Sequence, residues 1–170
     1  KKDYKPQKHD HMVIKLDNGD LLVFNDARRF GLITLTGKKE LANHKLIKSL
    51  GFEPLSEQLN PSRLYKELNH KKTNIKTTIM DQGLVVGVGN IYASESLFRA
   101  GISPNRPANK VSLKEAENLA KSIKDVLNTA INAGGSTLRD YANSKGEIGY
   151  FQTLFQVYGR DKEKCLKCKI

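Results

Sequence analysis

Lys76, Gly87, Gly89 and Asn90 stand in a pattern suited to gripping an anion. The run from Ile75 to Gln82 reads as a helix, Gly87-Val88-Gly89 as tight turns, and the residues from Asn90 onward as a second helix closing at Ala100-Gly101-Ile102-Ser103-Pro104. A helix N-terminus leaves backbone N–H groups unpaired and carries partial positive charge, so a phosphate placed there is stabilised by both. Glycine lets the backbone come close, Asn90 caps the helix or donates to a phosphate oxygen, and Lys76 adds a full charge. Gly87-x-Gly89 also fits a dinucleotide-binding turn and hence a nucleotide-dependent enzyme. Tyr92, however, stands where the third glycine belongs, and no acidic residue follows about 20 positions later on a second strand.

Three further groups carry chemistry. Arg28, Arg29 and Phe30 lie at a strand end beside Gly31. They are either an exposed basic corner with Phe30 in the core, or a device for filling the hole left by an extruded base, an event that costs a few kcal/mol. In the second case the aromatic wedges between base steps while an arginine hydrogen-bonds the widowed base. Ser136, Thr137, Arg139 and Tyr141 follow Gly134-Gly135, giving a donor-rich loop that is either solvent-facing or base-reading. Cys165-Leu166-Lys167-Cys168 supplies half of a tetrahedral zinc site, and a redox pair has the same spacing. His9, His11, His44 and His70 show no metal-ligand spacing; His9 and His11 alternate on a strand and suit structural hydrogen bonds.

The stretch Ile75-Lys76-Thr77-Thr78-Ile79-Met80-Asp81-Gln82 with Gly87-Val88-Gly89-Asn90-Ile91-Tyr92-Ala93-Ser94-Glu95 closely resembles the helix-two-turns-helix of the formamidopyrimidine-DNA glycosylases. Lys8-His9-Asp10-His11 and Asn25-Asp26-Ala27-Arg28-Arg29-Phe30-Gly31 resemble the last strands of that family's N-terminal β-sandwich. Gly134-Gly135-Ser136-Thr137-Leu138-Arg139-Asp140-Tyr141 resembles its base-binding loop, and Val157-Tyr158-Gly159-Arg160 with Cys165 and Cys168 resembles the opening of its zinc-finger hairpin. The resemblance implies phosphate binding by Lys76, Gly89 and Asn90, with Phe30 as wedge and Arg28 on the orphaned cytosine. It also implies lesion recognition by Ser136, Thr137, Arg139 and Tyr141, and one zinc ion with Cys165 and Cys168 as two of four cysteine ligands. Endonuclease VIII relatives place their wedge elsewhere, so Arg28 and Phe30 favour the formamidopyrimidine type. A methionine that fills the same void from an earlier loop has no counterpart here.

The elements that position these groups give an α+β chain. Residues 12–16, Asp17-Asn18-Gly19-Asp20 and residues 21–25 form a predicted hairpin, with Asn-Gly supplying positive φ, and residues 30–36 are a third predicted strand. An apolar rhythm over residues 41–50 predicts a helix stopped by Gly51, and Gly51-Phe52-Glu53-Pro54-Leu55 has the composition of a hinge. Asn60-Pro61 starts a helix. Ser112 and Glu115 form a capping box ahead of a stripe running from Leu113 through Ala116, Leu119, Ala120, Ile123, Val126, Leu127 and Ala130 to Ile131, ended by Gly134-Gly135. From Tyr150 onward, aromatic and β-branched residues predict a short ribbon. The expected division is residues 1–53 as the remainder of a β-sandwich, 54–154 as the helix-two-turns-helix domain and 155–170 as a truncated zinc-finger hairpin.

Basic residues number 29 against 18 acidic, a net charge of +11 that favours a polyanionic partner without identifying one. Apolar content of 38% allows an ordinary core, and no run of about 18 apolar residues spans a membrane. The resemblance implies a monomeric DNA-repair enzyme of the bacterial cytoplasm and nucleoid, acting on double-stranded DNA with oxidised bases or abasic sites. Its family attacks the sugar with the amine of an N-terminal proline, while the adjacent glutamate moves protons; base release and β,δ-elimination follow. Lys1 is not Met, the first strands lack partners and the cysteine pair is incomplete, so a fragment lacking those catalytic groups is expected. It should bind DNA without glycosylase or lyase activity. The alternative is a stand-alone, non-catalytic DNA-binding module. An upstream frame opening Met-Pro-Glu supports the first reading, and a start codon near Lys1 the second.

Overall fold

The computed structural model describes residues 4–137 and 148–170. The chain divides into two compact units, residues 1–44 and 45–170.

In the first unit, β1 (Asp10–Lys15) pairs antiparallel with β2 (Leu21–Asn25), with Val13 opposite Val23 and Ile14 opposite Leu22. The turn forms as its sequence dictates: Gly19 takes φ +85, and Asn18 Oδ1 accepts the Asp20 N–H at 3.0 Å. The Asp10 carboxylate accepts from the Tyr4 hydroxyl, from Asn25 Nδ2 at 2.9 Å and from the Gln7 N–H at 2.6 Å, contacts that hold its pKa below the usual carboxylate value. His11 makes a structural hydrogen bond, its Nε2 lying 2.9 Å from the Asp26 carbonyl. The predicted third strand at residues 30–36 does not form; that backbone has no ladder partner, and Leu32 and Leu35 stay exposed.

The predicted helix over 41–50 is also corrected. A single 3-10 turn at Leu41–Asn43 ends where His44 turns extended (φ −60, ψ 133), and α1 (Lys45–Lys48) follows with four residues. Neither piece buries a residue, so the apolar rhythm gains little from burial, and helices this short do not persist unaided. Gly51 and Phe52 are no free hinge. Their N–H groups donate to the carbonyls of Gln82 (2.9 Å) and Leu84 (2.8 Å), and Phe52 bridges Val85 in parallel. A Cβ at Gly51 would lie 2.3 Å from the Leu84 carbonyl, so only glycine permits that approach.

The second unit is helical: α2 (Pro61–Leu68), α3 (Ile75–Ile79), α4 (Asn90–Ala100) and α5 (Leu113–Asn132). Asn60 caps α2 through the Arg63 N–H, Asn74 caps α3 through the Thr77 N–H, and Ser112 and Glu115 complete the predicted capping box of α5. The long helix packs against α4 and α2. Ala116, Leu119, Ala120, Ile123, Val126, Leu127 and Ala130 are buried as the stripe predicts, whereas Leu113 and Ile131 at its ends are exposed. Ala116, Leu119, Ala120, Ile123 and Leu127 meet Leu64, Leu68, Ile75, Ile79, Val88 and Leu97 in one core, while Val126 and Ala130 belong to a second cluster. Truncating such a fully buried leucine costs about 2–5 kcal/mol, so this core fixes where α3 and α4 sit. Gly134 and Gly135 end α5 with φ +75 and +92.

The predicted ribbon after Tyr150 is replaced by a 3-10 turn, Phe151–Leu154, and irregular chain. Its aromatic residues dock rather than pair. Phe151 is fully buried with Val126 and Ala130, and Phe155 meets both Phe151 and Tyr158 edge-on at 5.5 Å.

Candidate functional site

The turns between α3 and α4 are built by two side chains. Asp81 Oδ1 accepts the Gly83 N–H at 2.9 Å, forming the first turn. Gln82 crosses the second: its Oε1 accepts the Gly87 N–H at 2.8 Å, while its Nε2 donates to the carbonyls of Met80 (3.1 Å) and Val88 (3.3 Å). Gly87 takes φ +76, a left-handed conformation that makes glycine the fitting residue.

The N-cap of α4 is Gly89 rather than Asn90. That one-residue displacement corrects the expected capping role of Asn90 and frees its amide, which lies at the helix mouth with Nδ2 3.5 Å from the Tyr158 hydroxyl. Gly89 has no side chain to cap with, and α-helix geometry leaves the first amides, those of Asn90, Ile91 and Tyr92, without intrahelical acceptors. The mouth is open. Gly87, Gly89 and Asn90 are exposed, and a Cβ on Gly89 would meet nothing within 4 Å. Gly89 has φ −97, so neither strain nor crowding within the described residues demands glycine there.

Lys76 is half-buried. It opens with Ser94, Val157 and Lys167 onto a cavity of about 640 Å³, and Ser94, one turn beyond Asn90, donates to the Asn90 carbonyl. Tyr158 is brought in by a carboxylate buried in α4. Glu95 Oε1 accepts the N–H groups of Gln156, Val157 and Tyr158 at 3.1, 3.0 and 3.0 Å, and its Oε2 accepts that of Gln156 at 3.0 Å. The mouth of α4 offers an anion exposed amides, an amide side chain and a phenol, while the Lys76 ammonium lines the cavity alongside the helix.

In the first unit Phe30 is 79% exposed, which removes the reading of it as a core residue. The Arg28 guanidinium carbon lies 4.7 Å from its ring centroid, and Arg29 takes φ +55, projecting this corner outward. Of the loop residues, Ser136 and Thr137 are placed, whereas Arg139 and Tyr141 lie outside the described residues. Cys165 and Cys168 are free thiols. The backbone N–H groups of Cys168 and Lys167 hold the Cys165 thiol below its ordinary pKa, which suits a thiolate ligand. Among the described residues no third His, Cys, Asp or Glu joins them.

The family model of the formamidopyrimidine-DNA glycosylase H2TH domain matches residues 50–142. The chain belongs to this family. It is 51% identical over 163 residues to the formamidopyrimidine-DNA glycosylase of Escherichia coli O6:H1, covering 96% of this chain and 60% of that one. To the Wolbachia enzyme of Drosophila simulans it is 48% identical, covering 98% and 60%. The chain thus spans about three fifths of the length of these curated relatives. The crystal structure of the MutM (Fpg) protein from Thermus thermophilus matches with a TM-score of 0.89 and 38% identity, covering 98% of this chain and 63% of that one. The complex of Lactococcus lactis Fpg with abasic-site DNA matches at 0.87 and 35%, covering 98% and 61%.

Gln82 and Glu95 of this glycosylase H2TH domain and Tyr158 beyond it shape the candidate site, yet composition and spacing give them no role. Gln82 carries a local signal, a long amide just ahead of a Gly-rich turn. Glu95 carries none, because its partners lie 61 to 63 positions away.

Proposed function

We propose that this chain is the DNA-gripping part of a formamidopyrimidine-DNA glycosylase, binding duplexes that carry an oxidised or missing base. One observation carries the proposal: the mouth of α4 is open at Gly89 and Asn90, with the Tyr158 hydroxyl beside Asn90. Amides there and the Lys76 ammonium fix phosphates without reading sequence. In the first unit, exposed Phe30 and its stacked Arg28 fill the void left by an extruded base. Ser136 and Thr137, with Arg139 and Tyr141, contact the extruded base itself. The intact enzyme excises oxidised purines such as 8-oxoguanine and cuts the abasic strand by β,δ-elimination, using a terminal proline amine and a neighbouring glutamate. The five prolines of these 170 residues are all internal, their nitrogens locked in amides, so this chain binds without forming a Schiff base. Zinc, held in the intact enzyme by Cys165, Cys168 and two further ligands, would supply a rigid cross-link for the C-terminal segment.

Duplex binding measured against salt tests the proposal. Log affinity should fall with log salt by about 0.9 per phosphate neutralised, and Lys76→Ala should reduce that slope by about 0.9. Asn90→Ala should weaken lesion-bearing and intact duplexes alike. A salt-independent affinity, or a loss confined to lesion DNA, would refute the phosphate assignment. Borohydride trapping on abasic DNA should give no adduct with this chain.

A further inference from the structure

Thr137 and Gly149 are drawn together in a neck, and one side chain spans it. Gln152 Oε1 accepts the Thr137 N–H at 3.1 Å on one side, and its Nε2 donates to the Gly149 carbonyl at 2.8 Å on the other. A third bond closes the ring directly, the Gly149 N–H donating to Thr137 Oγ1 at 2.8 Å. The neck is tight enough to require glycine: a Cβ on Gly149 would lie 2.1 Å from the Gly135 carbonyl oxygen. It is also anchored. The Tyr150 and Phe151 N–H groups donate to Ala133 and Gly135 at 2.8 and 2.9 Å, and the fully buried Phe151 ring sits on Val126 and Ala130 of α5.

We propose that Gln152 is a positioning residue that locks this neck, and that preference for a damaged base over a missing one is set through the lock. The inference rests on the proposed lesion-reading role of the Ser136–Thr137 loop. Both ends of the Gln152 amide are engaged, one accepting and one donating, so no other side chain of similar size serves both strands of the neck. Fixing the separation and direction of a loop's ends removes conformers that would otherwise have to be frozen out when a base is bound. An abasic site offers no base to the loop, so its binding draws on the phosphate grip and on the Arg28–Phe30 corner but not on the neck.

The test compares the 170-residue chain with Gln152→Met, which keeps the side-chain bulk, and Gln152→Glu, which keeps the acceptor and loses the donor. Affinities are measured for a duplex containing 8-oxoguanine and for one containing a tetrahydrofuran abasic analogue. Amide hydrogen exchange is followed at Gly149, whose N–H bonds Thr137 and not Gln152, with the α4 and α5 amides confirming that each variant is folded. Expected for both variants is a loss of about fivefold or more in 8-oxoguanine affinity, the size of one hydrogen bond, with abasic affinity unchanged. Gly149 exchange should be faster by a similar factor. Wild-type preference retained by Gln152→Met, or Gly149 exchange unchanged in it, would overturn the lock. A wild-type chain with no preference at all would instead overturn the lesion-reading role on which the inference rests.

Discussion

The buried carboxylate of Glu95 holds the backbone N–H of Tyr158 at 3.0 Å, and through that bond α4 sets the position of the phenol beside its own N-terminus. The same carboxylate takes the N–H groups of Gln156 and Val157, so one side chain satisfies three consecutive amides. Glu95→Gln replaces one oxygen by a donor and removes the charge from all of these bonds. It should destabilise the chain by about 3 kcal/mol, read as a lowered unfolding midpoint in urea. Unchanged stability would mean that the C-terminal segment holds itself in place.

Gln82 makes three bonds across the turn that delivers Gly87, Val88 and Gly89 to α4. Gln82→Ala leaves two carbonyls and one amide to water at an exposed site, so the expected loss of global stability is small, about 1 kcal/mol. The larger effect falls on binding, because the mouth of α4 is no longer held in one geometry. Affinity for every duplex should drop about fivefold or more, intact and damaged alike. Titration of the two duplexes side by side checks this, and a loss on one alone would contradict it.

The parts of this fold that were legible in sequence are those decided by neighbours within four residues. Asn60-Pro61, Ser112 with Glu115, Asn18-Gly19 and Gly134-Gly135 each act through a local hydrogen bond or a left-handed φ, and each appears where the sequence places it. Residues 30–36 and 41–50 carry apolar patterns, but a pattern becomes an element only when enough of it is buried, and most apolar residues of both stretches are exposed. At the candidate site, type and spacing single out Lys76, Gly89 and Asn90 as the proposed phosphate contacts. The shift of the N-cap from Asn90 to Gly89 was not legible, because asparagine is the better cap, and only the path of the turn held by Gln82 decides between them.

Arg106 and Glu115 give the stability of the α5 N-terminus a pH dependence of known sign. Nη1 and Nη2 of the guanidinium meet the two carboxylate oxygens at 2.5 and 3.0 Å, and the Ser112 N–H adds a bond at 2.8 Å, together lowering the Glu115 pKa from 4.5 to about 2. A carboxylate whose pKa is depressed on folding stabilises the fold fully above its unfolded value and loses that contribution as pH falls through its folded one. Glu115→Gln can keep the capping box but not the charge. It should therefore be less stable than the parent chain by about 1–2 kcal/mol at neutral pH. The gap should narrow below the ordinary glutamate value of 4.5 and close near pH 2. Denaturant unfolding of both chains across this range measures it, and a constant gap would show that charge is not the cause.

Gly89 separates folding from binding more sharply than any other position in the mouth of α4. Its φ of −97 and ψ of −171 suit any residue, and the space where a Cβ would stand is empty for 4 Å. Serine is a better N-cap than glycine by a few tenths of a kcal/mol, its hydroxyl accepting from the second or third helical amide, here Ile91 or Tyr92. Gly89→Ser should thus leave stability unchanged or slightly raised. The same hydroxyl, however, occupies the amides assigned to phosphate and puts a side chain into its path. Since a hydrogen bond to a charged group contributes about 1.5–3 kcal/mol, duplex affinity should fall about tenfold or more, with thermal unfolding and duplex titration measured on the same preparation. A serine variant that binds as tightly as the parent would mean that phosphate is gripped elsewhere, for the only change made is at the helix mouth.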